Sequence, residues 1–474
     1  MQNNVGNYRI ELKDNQAGEP GTKNGYGKPL GIISEQSKII LGHFAGRRLV
    51  DLEKLGVTVF SNQLLSTAQN DDHSKVDLEV FSLGCNEILK SRWINTGNCM
   101  GVIRLRVSEQ LTVQIEIGSR FDKDHEKPYF LTYLLSKVFG GSVIDKVDAG
   151  IDDMWDMLLA FVFRRRLLEA GAVGLFRQYR TFHHNDARIR GRIDVDRHLR
   201  QNVPFLGNVA YSTHEITFDN PTNHLIRHAW TKVNQKWPNL MTGDSGLTDL
   251  RHQLKQSTPS WHPGRILDCV RRKENRRPIK HPYFQSIYEP LRQLSLSILR
   301  DEGASLYQQQ QEVEGVLFDG SWLWEEYLWT LLKRVGFEHS ENKNQRGAWN
   351  PISGVHFYPD FFHVDGRIVL DAKYKGENSR DLQSDARQVF GYMFLLGARH
   401  GGLIKPQGAV NSRVEIKLVS PLENTPLPVW HIFSLPPPTA STAEEFKLAM
   451  KKAEDEFSSQ ISKELNISET CVFS

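Results

Sequence analysis

The chain has 474 residues, more than one ordinary hydrophobic core accommodates, so two or three domains are expected. Its formal charge of +3 is too small to mark a nucleic-acid-binding protein by itself. Cys85, Cys99, Cys269 and Cys471 show no CxxC spacing, which speaks against a zinc ribbon or a disulfide framework, and no basic-then-apolar leader or long apolar run is present, so a cytoplasmic protein with no membrane partner is expected.

Residues 1–125 read as a β-rich domain. Short apolar runs beginning at Leu30, Lys38, Val57, Gly101 and Leu111 are separated by polar turns, the pattern of strands. The glycine-rich stretch from Gly21 to Pro29 has the wrong spacing for a phosphate loop, and Pro29 stands where a Ser or Thr would meet magnesium. The chain is therefore not expected to hydrolyse a nucleotide through a phosphate loop of its own.

Residues 126–304 read as a mostly helical middle region with basic patches. Helical spacing begins at Tyr129 and again at Met154, the second run closing near Gly171. Two arginine-rich stretches follow, one containing Arg188, Arg190 and Arg192, the other Arg271 and Arg272. Such clusters are either a solvated surface or contacts to DNA or to an acidic partner. Asn220 and Pro221 have the residue types of a helix N-cap and first helical position, which puts His224 and His228 on one helical face. Without an HExxH glutamate or a nearby cysteine, that pair is expected to be hydrogen-bonded or exposed rather than metal-binding.

Residues 305–435 carry the candidate chemistry. The stretch from Asp319 to Arg334 predicts a helix with Trp324, Leu328, Leu331 and Val335 on its apolar stripe, Glu325 and Glu326 among the aromatics, and Gly336 as its end. From Tyr358 to Tyr374 two apolar runs flank Asp365-Gly366, a strong signal for a two-residue hairpin turn. That turn pairs Val364 with Arg367 and so sets Asp360 opposite Asp371, with Lys373 on the same face. Opposed carboxylates repel unless a cation lies between them, so the pattern predicts a magnesium site with a lysine beside it. A helix from about Arg380 to Leu396 then aligns Asp385, Gln388 and Tyr392, and strands are expected at 402–405, 414–419 and 429–433. The whole is an α/β (α+β) chain whose C-terminal core is one mixed sheet flanked by helices. Residues 436–474 are a proline-rich break followed by an exposed, charged helix.

Together Asp360, Asp371, Lys373, Glu325 and Gln388 suit phosphodiester hydrolysis. The two aspartates would hold one or two Mg²⁺ ions, Glu325 would complete or orient the shell, Lys373 would orient or deprotonate a water, and Gln388 would position DNA or Lys373. A surface ion cluster in an ordinary hairpin is the bland alternative. These residues resemble the PD-(D/E)xK nuclease superfamily. With Arg190–Asp194, Asp219–His224, Leu323–Tyr327 and Asp385–Gln388, the stretch 125–435 resembles McrC, the nuclease subunit of McrBC-type modification-dependent restriction systems. The resemblance implies a metal set of Asp360, Asp371, Ala372 and Glu325 for Mg²⁺ (Mn²⁺ as the alternative ion), and DNA as substrate. It also implies docking through the N-terminal region on a ring of McrB, an AAA+ GTPase, with GTP entering only through that partner. A stand-alone nuclease and a non-catalytic adaptor of an AAA+ NTPase are the competing readings.

Overall fold

A computed structural model describes residues 6–16, 28–29, 45–47, 49–55, 57–61, 80–86, 91–108, 111–122, 127–147, 154–299, 313–340, 349–352, 355–363, 368–375, 382–408, 413–416 and 428–464. The chain divides into two compact units, one of residues 1–158 with 310–474, the other of residues 159–309. The segment expected as an N-terminal domain and nearly all of the expected C-terminal core thus fall in one unit, together with residues 126–158 of the expected middle region, whose remainder forms the other. Among the described residues no helix is long and apolar enough to cross a membrane.

The first unit holds a five-stranded sheet in the order Gly6–Lys13, Leu111–Gly118, Cys99–Ser108, Val313–Asp319 and Val57–Phe60. The strands expected from Val57, Gly101 and Leu111 are present. Those expected from Leu30 and Lys38 lie outside the described residues, as does most of the glycine-rich stretch before Pro29. Val313–Asp319 joins this sheet from far along the chain, antiparallel to Cys99–Ser108 and parallel to Val57–Phe60. Val313 and Leu317 are buried in one cluster with Ile103, Leu105, Ile115 and Ile117. The helix Gly320–Leu332 starts where this strand ends. Asp319 caps it by accepting from the Ser321 N–H at 2.9 Å, and Gly336, at φ +86°, takes the left-handed turn after its last, 3₁₀ residues.

The same unit contains a mixed six-stranded sheet in the order Phe337–His339, Phe361–His363, Ile368–Ala372, His400–Lys405, Val429–Ser434 and Arg413–Ile416. Phe361 pairs with Leu370 and Phe362 with Val369, which is the register the Asp365-Gly366 turn requires, although residues 364–367 are outside the described set. The helix Leu382–Leu396 covers one face, burying Val389 and Met393 against Val369, Leu403 and Trp430.

The terminal helix, Ala443–Glu464, corrects the expectation of an exposed tail. Phe446, Met450, Ala453, Phe457 and Ile461 are buried along one stripe. Buried Glu454 accepts from the Tyr133 and Tyr327 hydroxyls, each at 2.9 Å, and pairs with Lys137 Nζ at 2.6 Å.

In the second unit the helix Pro221–Lys236 starts as expected, with the Asn220 side chain accepting from Asn223 N at 3.0 Å and Pro221 in the first turn. It packs against Gln285–Ile298. The expectation of a mostly helical region is incomplete, because Gln178–Asp186, Val209–Thr217 and Arg192–Ile193 form a three-stranded sheet. Both faces of that sheet are partly open, with Tyr179, Ile193 and Ile216 exposed. An alternation of buried apolar and exposed polar residues was therefore never written into these strands.

Candidate functional site

The adjacent strands Phe361–His363 and Ile368–Ala372 bring the expected residues together. Asp371 is fully buried near the end of its strand, and Lys373 follows two residues later on the same face, its Nζ 2.6 Å from Asp371 Oδ2. Asp360 immediately precedes the paired strand, and continuing the observed register sets it opposite Asp371. Its Oδ2 accepts the Ala372 N–H at 2.8 Å, and its carbonyl lies 2.7 Å from His339 Nδ1. Ala372 thus meets this cluster through its amide, which orients Asp360.

The helix Leu382–Leu396 supplies the third side. Gln388 Oε1 accepts from Lys373 Nζ at 3.1 Å, and Gln388 Nε2 donates to the Tyr392 hydroxyl at 3.3 Å. Asp385 lies 3.9 Å from Lys373 Nζ and pairs more closely, at 3.1 Å, with Lys375. Lys375 was not singled out from the sequence, although it continues the two-residue alternation through Asp371 and Lys373.

Burial dominates the electrostatics of the site. Burial, then the nearby Asp360 carboxylate, push the Asp371 carboxyl upward against the opposing pull of Lys373. Asp360 is raised by burial too, with Lys373 and the Ala372 N–H opposing. Glu325 keeps some exposed surface, yet burial and the fields of Asp360, Asp319 and Asp371 push its carboxyl well above the usual range. The Lys373 ammonium is held in its charged form by Asp371 and Asp360, which outweigh burial.

Three carboxyl groups therefore share the field of one lysine, and apart from the Lys373 ammonium the buried Asp371 oxygens have no hydrogen-bond partner among the described residues. Hard oxygen donors in that condition fit a magnesium ion, which needs only one or two carboxylates and keeps several waters. Among the described residues, however, no three or more His, Cys, Asp or Glu side chains are spaced as a ready metal cage. The fit is thus to a two-aspartate site completed by water, with Glu325 close enough to act on it through its charge.

The other expected residues lie in the second unit. Arg188, Arg190, Arg192, Arg271 and Arg272 are exposed. Other arginines of the same stretches are structural: Arg164 is buried and donates to the Leu240 carbonyl, and Arg197 donates to the carbonyls of His184 and Tyr211. His224 lies 2.5 Å from Asp219 Oδ1, and His228 lies against the Trp261 ring at 4.9 Å between centroids.

Burial, then His224 and Arg227, lower the His228 pKa from 6.5 to about 4. Below pH 6.5 the unfolded chain takes up a proton that folded His228 refuses, so stability contributed by the neutral ring falls as pH drops from 6.5 to about 4. Urea denaturation at pH 7 and pH 4.5 should show a smaller acid loss in His228→Gln than in the wild type; an equal loss would refute this assignment.

A family model described as "McrBC 5-methylcytosine restriction system component" matches residues 94–406, more than half of the chain. A structure of Thermococcus gammatolerans McrB AAA+ hexamers with bound McrC is similar at a TM-score of 0.48 and 16% identity, covering 94% of this chain and 100% of that one. A second, the Thermococcus gammatolerans McrBC complex, is similar at a TM-score of 0.32 and 15% identity, covering 70% of this chain and 88% of that one. No curated protein matches the chain in sequence. On the extent of the family match, the chain belongs to the family of McrBC 5-methylcytosine restriction system components.

Proposed function

We infer that the chain is the McrC-type nuclease subunit of such a system. It is a Mg²⁺-dependent DNA endonuclease with a PD-(D/E)xK core, acting in the cytoplasm while docked on a McrB-like AAA+ GTPase ring. One observation carries this reading: Asp360 and Asp371 meet across adjacent strands with Lys373 Nζ held between Asp371 and Gln388. A scaffold that only activates a partner has no physical need for buried, opposed carboxylates, whose desolvation costs stability.

Asp360 and Asp371 would hold the ion, with Glu325 completing or orienting the shell and the Ala372 amide fixing Asp360. Bound there, Mg²⁺ neutralises charge on the phosphate and makes water a better nucleophile at neutral pH. Mn²⁺ offers the same oxygen-seeking chemistry. Lys373 places a positive charge beside the scissile phosphate, where it orients the attacking water and stabilises the charge that builds up. Gln388 holds that ammonium in place. GTP enters only through the partner, since the glycine-rich stretch before Pro29 lacks the spacing of a phosphate loop.

The decisive experiment is cleavage of methylated and unmethylated DNA in Mg²⁺, with and without the AAA+ partner and GTP, using Asp371→Ala as the baseline. Cleavage above that baseline only with partner and nucleotide supports the reading. Equal cleavage by the chain alone would make it an autonomous nuclease, and cleavage equal to baseline throughout would remove the nuclease assignment.

The exposed arginines are assigned to DNA or partner contacts. Reversing Arg188, Arg190 and Arg192 together to Glu should weaken binding most at low salt. If all three meet phosphates, the slope of log K against log salt should shrink by about 3. Binding loss independent of salt would indicate a structural role instead.

A further inference from the structure

One end of the five-stranded sheet collects groups that the chemistry above does not use. Asp14 follows the strand Gly6–Lys13, Arg120 follows Leu111–Gly118, and Asn98 precedes Cys99–Ser108. Asp319 ends the adjoining strand, where it pairs with Cys99. Arg120 is mostly buried and its guanidinium branches three ways. Nη1 lies 3.1 Å from Asp14 Oδ2 and 3.3 Å from Asn98 Oδ1, while Nη2 donates to the carbonyl of Tyr374. The guanidinium also lies over the Tyr374 ring, 4.6 Å from its centroid. Ser119 Oγ, one residue before Arg120, is 2.8 Å from the Tyr374 hydroxyl.

Asn98 carries the network to the helix that bears Glu325. Its Nδ2 donates to Ser321 Oγ at 2.8 Å and to Asp319 Oδ1 at 3.3 Å, and its carbonyl accepts the Gly320 N–H at 2.8 Å. The Tyr374 ring packs so closely on Gly320 that a Cβ there would lie 2.6 Å from its Cε1. Tyr374 is thus gripped at its carbonyl, ring face and hydroxyl, and it is the residue directly after Lys373. The Lys373 main chain is otherwise held by its N–H to the Ile404 carbonyl at 3.0 Å and by its carbonyl to the Lys375 N–H at 2.9 Å.

We propose that Arg120 is a positioning residue for Lys373: it locks Tyr374 to the end of the five-stranded sheet and thereby sets Lys373 relative to the Glu325 helix. The inference rests on the nuclease reading for its catalytic half. A planar fork suits the task because one cation must satisfy acceptors in different directions while stacking on a ring. Lysine keeps the charge opposite Asp14 but cannot serve Asn98 and Tyr374 as well.

The test is Arg120→Lys in the full chain assembled with its AAA+ partner. Two readouts are followed: steady-state DNA cleavage, and hydrogen exchange of residues 371–375 by mass spectrometry. A group misplaced by about an ångström costs up to about a hundredfold in rate, so kcat should fall about tenfold or more with KM for DNA unchanged. Amides of 371–375 should exchange about tenfold faster, while the strand Cys99–Ser108 keeps its protection.

Unchanged exchange at 371–375, or local loosening with an unchanged kcat, overturns the proposal. Loosening across the whole five-stranded sheet also overturns it, by showing that Arg120 serves only to pair Asp14. If wild type cleaves no better than Asp371→Ala, the nuclease reading fails by itself, and the exchange data still decide whether Arg120 holds the Lys373 segment. Should Arg120→Lys not fold, Asp14→Asn with Arg120→Gln removes both buried charges together and is judged by the same readouts.

Discussion

Asp371→Ala is expected to lower metal-dependent DNA cleavage by about a thousandfold or more without loss of the fold. Asp371 is buried, raised by desolvation and by Asp360, and among the described residues is satisfied only by the Lys373 ammonium, so its carboxylate is a burden to the metal-free protein. Removing it takes away one buried charge and leaves Lys373 near Asp385 and Gln388. Lys373→Ala should also abolish cleavage, but for a different reason. It deletes the cation that competes with Mg²⁺ for Asp371, so metal binding should persist or tighten.

Thermal melts separate the two variants. A ligand that binds only the folded state at a hundred times its Kd stabilises by about 2.7 kcal/mol. Wild type and Lys373→Ala should therefore melt higher in Mg²⁺ than in EDTA, and Asp371→Ala should not. An equal Mg²⁺ shift in Asp371→Ala would place the ion elsewhere, and wild-type cleavage by that variant would remove Asp371 from the chemistry altogether.

The site was legible where its determinants are local. The pairing of Phe361 with Leu370 follows from counting outward from Asp365-Gly366, and that count alone puts Asp360 against Asp371. The Lys373–Gln388 contact was foreshadowed by helical spacing in the next element. The cap of Pro221–Lys236 was readable for the same reason, since Asn220 and Pro221 act within one turn.

What escaped depends on distant partners or on absent patterning. No feature of Val313–Asp319 names Cys99–Ser108 as its neighbour, and Arg120 reaches Tyr374 across 254 residues of chain. The strand Gln178–Asp186, mostly polar, lacks the apolar alternation that identifies a half-buried strand. The first strand is a different case. Ile10 and Leu12 alternate with Arg9 and Glu11, a period-two pattern that was there to be read.

Deleting residues 442–474 is expected to unfold the first unit rather than trim a dispensable tail. The terminal helix looked exposed because lysines and glutamates dominate its composition, but the spacing Phe446, Met450, Ala453, Phe457 and Ile461 makes one continuous apolar stripe. Fully burying four large apolar side chains is worth about 1.5–3 kcal/mol each, so the helix contributes on the order of 8 kcal/mol. That rivals the whole stability of a typical domain, about 5–15 kcal/mol. The loss would be compounded at Tyr133 and Tyr327, whose hydroxyls both donate to Glu454.

A milder version isolates the polar part. Glu454→Ala leaves the stripe intact but strips two buried hydroxyls and Lys137 of their acceptor, a loss of about 3 kcal/mol. Tyr327 lies two residues from Glu325 on the same helix, so the substitution reports on whether the terminal helix merely stabilises the unit or also steadies the site. Urea melts and Mg²⁺-dependent cleavage of Glu454→Ala answer both parts. A wild-type melt would show the terminal helix to be peripheral. A lowered melt with cleavage unchanged below the transition would confine Glu454 to stability, whereas reduced cleavage by the still-folded variant would tie the terminal helix to the placement of Glu325.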